Sequence, residues 1–234
     1  MNDPAPADIG GLAIHGSAQD GRFVVVNSQP WMADGLARVQ RACFPDLSPG
    51  ELMGPGHFRQ HLGVFPEGQH AVWDHECKCV AASSSDLRLN VDFARYAHPY
   101  MQEVGDNTLS THLPDGQWLY GADIGVHPEY RAQGLSTLLY AARQGLVRRL
   151  GLRGHVAGAM PKGYGAHARA MPIEEYVHRV ALNELKDPVL SVQMKRGYRV
   201  WGIIPDYLED ASCRNYGVFI VWRNPDLGWS ERHA

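Results

Sequence analysis

The chain has 234 residues, 44% of them hydrophobic, enough to bury the core of one large domain or two small ones. Its 22 basic and 25 acidic side chains leave a net charge of -3, which gives no basic footprint for nucleic acid. No apolar run approaches the roughly 18 residues of a membrane span, and the opening MNDPAPADIGG has neither the basic region nor the apolar core of a signal peptide. These observations point to a cytoplasmic protein without nucleic-acid or membrane partners.

In chain order, residues 1–20 are rich in Gly, Pro, Ala and Asp and are expected to form a flexible arm, with 21–234 as a single domain. RFVVVN (22–27) is the first strand, and Pro30 stands where a helix running to about Cys43 would place its first proline. Phe58, Leu62 and Val64 mark a short second helix around 57–62. Its His57 and His61 share a face, but Phe58 stands where a zinc-protease pattern needs Glu, so they are taken as surface residues or acceptor-site lining. Residues 71–89 alternate and turn over like a hairpin, which would put His75, Cys77 and Cys79 on one strand face. Structural zinc sites draw their ligands from separated pairs, so no metal is expected there, and all four cysteines are expected as free thiols.

Residues 92–115 form a long polar and aromatic loop in which Tyr96, His98, Glu103, Thr111 and His112 are candidates for lining an acceptor pocket. A buried strand follows at about 119–126, ended by His127-Pro128. Leu135, Leu138, Leu139, Ala142, Leu146 and Leu150 then recur at helical spacing to Gly151, with Arg143, Arg148 and Arg149 on the other faces. Residues 155–160 are a strand, and 162–168 contain a GxGxxA that lacks the acidic strand-end partner of a dinucleotide fingerprint and reads as a flexible loop. Residues 172–186 are helical, Asp187-Pro188 restarts a helix that Gly197 ends, and 198–204 and 216–222 close the sheet as an antiparallel pair.

Between the buried strand and its helix lies Arg131-Ala132-Gln133-Gly134-Leu135-Ser136-Thr137. A βα turn of this kind leaves the first helical amides unpaired at the positive end of the dipole, which makes an anion socket. Gly134 lets backbone approach a phosphate, and Ser136 can cap the helix or donate its hydroxyl.

Arg131-x-x-Gly134-x-Ser136, preceded by Ile124-Gly125-Val126-His127-Pro128, resembles the acetyl-CoA signature of the GNAT superfamily of N-acyltransferases, with Ser136 in place of its final Gly or Ala. Residues 187–198, DPVLSVQMKRGY, are similar to the superfamily's second cofactor helix and its Gly-Phe exit. The stretch 118–225 also resembles the acyltransferase part of bacterial proteins in which such a domain is fused to a carbon-nitrogen hydrolase.

The resemblance implies a GNAT-like α/β (α+β) fold: a mixed, mostly antiparallel sheet flanked by helices, with a splayed central parallel strand pair. It implies acetyl-CoA (coenzyme A) as cosubstrate, held by Ile124, Gly125, Val126, Arg131, Ala132, Gln133, Gly134, Leu135, Ser136, Thr137, Asp187 and Ser191. Tyr120 and Asp123 are the central-strand candidates for the catalytic base. Gln193 occupies the place where the superfamily often has a proton-donating tyrosine, and an amide has no proton to give, so the acid is another tyrosine such as Tyr164 or Tyr207, or is absent.

The expected activity is therefore acetyl transfer to a primary amine. Loops 92–115 and 162–171 would wall off a closed pocket, which favours a small-molecule acceptor. A catalytically weak acyl-CoA-binding regulatory module and a protein N-acetyltransferase are the alternatives, and a homodimer is left open.

Overall fold

The computed structural model describes residues 9–228, so the expected arm falls partly outside the described residues, at 1–8. Within it, Ile14–Ala18 is not loose: it forms strand β1, antiparallel to β2 (Phe23–Asn27). The Gln19-Asp20-Gly21 turn between them takes three successive positive φ values, which closes the hairpin tightly. Next come α1 (Ala33–Cys43), entered through a 3-10 turn carrying Pro30, and α2 (Pro55–Val64), followed by β3 (Gln69–Asp74) and β4 (Cys79–Leu89).

Alternate residues of β2 enter two different cores because strand side chains point to opposite faces. Val24 and Val26 pack with Leu36, Val39, Phe58 and Trp73, whereas Phe23 and Val25 pack with Val72, Ala82, Leu135 and Leu139. A strand buried on both faces reads as a continuous apolar run, which is why FVVVN shows no polar alternation. Each such side chain is worth about 1.5–3 kcal/mol when fully buried.

The segment expected as a loop at 92–115 contains a short helix, α3 (Tyr100–Glu103), and a π-type segment at Gly105–Leu109 with Asp106 and Asn107 left-handed. β5 (Trp118–Val126) leads through a 3-10 turn at Pro128–Tyr130 to α4 (Leu135–Arg149), then β6 (Gly154–Ala159). A short α5 (Tyr164–His167) replaces the expected loop, and α6 (Ile173–Ala181) stops five residues before Lys186. α7 (Leu190–Lys195), β7 (Arg199–Ile204) and β8 (Gly217–Arg223) complete the chain.

The strands hydrogen-bond in the order β1-β2-β3-β4-β5-β6-β8-β7. β5 and β6 are parallel, pairing Trp118, Leu119 and Tyr120 with Gly154, His155 and Val156, while β6–β8 and β7–β8 are antiparallel. The mixed, mostly antiparallel sheet with a parallel pair is the one that the resemblance implies.

The chain divides into two compact units. Among the described residues, the first comprises 9–87 with Val104–His112 and Gly121–Arg143, and the second comprises Arg88–Glu103, Leu113–Tyr120 and 144–228.

Four sequence expectations need correction. Cys77 and Cys79 are joined by a disulfide, and only Cys43 and Cys213 are free among the four. His75, Cys77 and Cys79 do not share a strand face, because 75–78 is the turn between β3 and β4. His61 is fully buried, with Nδ1 bonded to Ser85 at 2.9 Å and Nε2 to the Asn107 carbonyl at 2.7 Å. Burial lowers its pKa to about 4, since a charged imidazole would lose its hydration. Arg143 is 2% exposed and paired with Asp86 at 2.9 Å.

Candidate functional site

In the first unit, β5 and α4 hold the turn that the sequence singles out. Leu135 and Leu139 anchor the helix against Phe23, Val25 and Val72, and Ile124 and Val126 pack on the same cluster. With the helix fixed from below, the chain descends from β5 through Ala132 at φ +62 and Gly134 at φ +79. Among the described residues, the amides of Ala132, Gln133 and Gly134 donate no backbone hydrogen bond, while Thr137 N–H closes on the Gly134 carbonyl at 2.9 Å. No acidic residue stands in the first turn of α4, so nothing there offsets the positive end of its dipole.

A Cβ on Gly134 would meet nothing within 4 Å, which leaves the approach to these amides open. Arg131 and Ala132 are exposed, Ser136 and Thr137 half-buried, and the Gln133 side chain accepts at Oε1 from the Gln19 side-chain amide at 3.1 Å.

Gly125 is glycine for a different reason: a Cβ there would sit 2.7 Å from Cys43 Sγ. Cys43 donates to the Val126 carbonyl at 3.2 Å, and its thiol is pushed up to about 12 by burial and by the neighbouring Asp123 carboxylate. Along β5 the alternation places Gly121, Asp123 and Gly125 on the buried side and Ala122, Ile124 and Val126 on the half-buried side.

Asp123 is 8% exposed and its Oδ2 has no hydrogen-bond partner. Burial raises its pKa to about 7; Arg143 opposes the rise and Asp86 adds to it. Arg143 is committed elsewhere, since it bonds Asp86, the Ser85 carbonyl at 3.1 Å and the backbone carbonyl of Asp123. A carboxyl of this kind is half ionised near neutral pH, the condition a general base needs.

In the second unit, a cavity of about 260 Å³ is lined by Leu89, Arg95, Tyr96, His98, Glu103 and Tyr120 among others. Tyr96, His98 and Glu103 are three of the five loop residues expected to line a pocket. Thr111 and His112 belong to the first unit, where His112 stacks on Phe65 at 4.7 Å.

His98 Nδ1 lies 2.7 Å from the Tyr96 carbonyl, which can only accept, so Nδ1 carries the hydrogen. The neutral ring therefore presents an unprotonated Nε2, to which the Tyr120 hydroxyl donates at 3.0 Å. Tyr120 in turn accepts from the Tyr207 hydroxyl at 3.1 Å. Both phenols are buried, and burial raises both pKa values; the negative charge of Glu103 adds to the rise. They stay protonated at neutral pH.

Asp187 and Ser191 also lie in the second unit and form a closed cap. Asp187 accepts from the amides of Val189 and Leu190 at 2.8 Å each, from Gly163 N–H and from the Tyr176 hydroxyl, while Ser191 Oγ accepts from Asp187 N–H. Gln193 is buried, with Oε1 unbonded.

No protein-family model matches the chain. "Probable hydrolase YhcX" of Bacillus subtilis (strain 168) is 33% identical over 207 residues, covering 88% of this chain, which spans only 39% of that protein's length. "Uncharacterized N-acetyltransferase YkwB" of the same organism is 28% identical over 214 residues, covering 91% of this chain and 94% of the relative. Among solved structures, the GphF GNAT-like decarboxylase in complex with isobutyryl-CoA superposes with a TM-score of 0.67 at 20% identity, covering 86% of this chain and 98% of that one.

Proposed function

We propose that this chain, whose fold is that of the GNAT superfamily of N-acyltransferases, moves an acetyl group from acetyl-CoA to the primary amine of a small molecule. The observation that carries this reading is the approach to α4: Ala132, Gln133 and Gly134 amides that donate no backbone hydrogen bond among the described residues, a left-handed Gly134 with open space above it, and no acidic residue in the first turn. Residues 131–137 would hold the diphosphate, and the backbone of Ile124, Gly125 and Val126 would take the pantetheine arm and the thioester oxygen. Asp187 and Ser191 are proposed to serve the cofactor only by fixing the start of α7, since their polar atoms are already bonded.

Asp123 is proposed to take the amine's proton, its raised pKa keeping it a competent base near pH 7. Tyr120, the other central-strand candidate for the base, is kept protonated by burial and its hydroxyl hydrogen goes to His98, so the proposal gives the base role to Asp123 alone. Gln193 has no part in this exchange. The cavity beside Tyr120, whose wall carries Glu103 and Asp92 as well as Arg95, is proposed as the place for a compact polar acceptor.

The test pairs calorimetry of acetyl-CoA and isobutyryl-CoA with thiol release in a screen of small amines and peptide N-termini. Binding of acetyl-CoA with turnover of a free amine supports the reading. Binding without turnover favours a regulatory module, an option that Gln193 keeps open, and peptide turnover far above every free amine favours a protein acetyltransferase.

A further inference from the structure

We infer that Cys77 and Cys79 form a thiol–disulfide exchange site whose redox state sets the affinity of the neighbouring 131–137 turn for coenzyme A. The disulfide joins residues two positions apart. A cross-link that closes so short a loop removes little entropy from the unfolded chain, so stabilising the fold does not account for it. Lys78 between the two cysteines takes φ +52, a left-handed conformation that a non-glycine residue adopts at a cost. Cys77 is exposed and Cys79 half-buried, so the Cys77 sulfur is the one an incoming thiolate reaches.

The link to the cofactor turn is Tyr130. Its hydroxyl lies 3.2 Å from Cys77 Sγ and 3.4 Å from Cys79 Sγ, and it is near enough to the buried Asp74 carboxylate, which Arg22 grips at 2.9 and 3.1 Å, for that charge to raise its pKa. Its ring meets Phe23 edge-on at 6.0 Å. Tyr130 is the residue immediately before Arg131, so whatever holds its side chain sets where the turn begins.

The chemistry needs a dithiol reductant. One of its thiolates attacks Cys77 Sγ, breaking the Cys77–Cys79 bond and expelling the Cys79 thiolate. The reductant's second thiolate then attacks its own sulfur in the mixed disulfide, forming the reductant's disulfide and releasing the Cys77 thiolate. Two electrons and two protons pass to the protein, and the reductant is oxidised. Once separate, the two sulfurs no longer stay together at the Tyr130 hydroxyl, and the hairpin tip stops buttressing the turn.

The coupling rests on the proposed coenzyme A site; the exchange does not. The test equilibrates the full chain in oxidised and reduced dithiothreitol, counts thiols by mass after alkylation, and measures coenzyme A binding by calorimetry in both states. The expected results are a reversible two-electron titration confined to Cys77 and Cys79, and at least about five-fold weaker coenzyme A binding after reduction, the low end of ordinary coupling. By reciprocity, saturating coenzyme A lowers the midpoint potential by the same factor, about 20 mV for a two-electron couple.

The variant Cys77→Ser/Cys79→Ser should bind like the reduced protein, and Tyr130→Phe should bind equally in both states. Thiols that never pair under oxidising buffer overturn the exchange, and equal affinities of oxidised and reduced parent overturn the coupling. Failure of coenzyme A to bind in either state removes the proposed function and the coupling, while the titration still decides the exchange.

Discussion

Gly134→Val tests the cofactor turn most directly. Gly134 sits at φ +79 with no heavy atom within 4 Å of where a Cβ would stand, so valine clashes with nothing in the protein and acts in two separable ways. The left-handed backbone is strained by about 1–2 kcal/mol with a side chain present, which for a chain of this size lowers Tm by about 2–8 °C. The isopropyl group also occupies the space through which an anion reaches the amides of residues 132–136. Losing one such charge-assisted hydrogen bond removes about 1.5–3 kcal/mol, a ten-fold to hundred-fold rise in Kd for acetyl-CoA.

Gly151→Ala is the control, because Gly151 is also left-handed, at φ +62, and also open, but lies just past the other end of α4. It should lower Tm and leave the affinity unchanged. Calorimetry with acetyl-CoA reads both variants, and an unchanged Kd for Gly134→Val would refute the anion socket.

Asp123→Asn should lower kcat by about 10²–10⁴ and leave acetyl-CoA affinity intact; the parent's rate should rise with pH through about 7, and persistence of that limb in the variant would remove Asp123 as base. His61, lowered to about 4, binds a proton in the unfolded chain before it does so in the fold, so its contribution is complete above about pH 6.5 and is lost as pH falls toward 4. Over that window it amounts to about 3 kcal/mol. Asp123, with its raised pKa, gives the opposite slope between about pH 4 and 7, so the quantity to measure is the urea-unfolding difference between parent and His61→Gln, which should shrink as the pH falls from about 6.5 toward 4. Arg143→Met removes the cation that faces the buried Asp86 carboxylate and should cost about 3–5 kcal/mol, most of which Arg143→Met/Asp86→Leu should recover, as read from denaturation midpoints. Gln193→Leu should leave the pH–rate profile unchanged, since the amide it removes carries no titratable proton.

Much of this was legible because local chemistry and tertiary context agree. Pro30 before α1, the apolar strand ended by His127-Pro128, and Asp187 capping α7 each work through contacts a few residues apart, and each stands where the sequence puts it. Arg143 was misread as solvent-facing because arginine is rarely buried, although it follows Leu135 and Leu139 at four-residue intervals. Its partner was visible as Asp86, a lone acid ending the small-residue run AASSS of β4. His61 and the left-handed Asn107 are held by each other across 46 positions, a pairing that no periodicity encodes. The Cys77–Cys79 link was missed because two residues two apart on a regular strand would point the same way without meeting; the turn at 75–78 is what closes them.

The segment that walls the cavity beside Tyr120 has a second duty. β7 ends the sheet order, and its pairing with β8 slips between Val200 and Gly202. The missing side chain of Gly202 is replaced by the Tyr96 ring, and the Trp201 indole donates to the Phe93 carbonyl at 3.1 Å. A bulged outer strand roofed by aromatic side chains is a poor template for another chain's strand. Reshaping the cavity at Tyr96 to admit bulkier acceptors would therefore uncover a sheet margin at the same time, and poor solubility of such variants would report the lost roof rather than a misfolded interior.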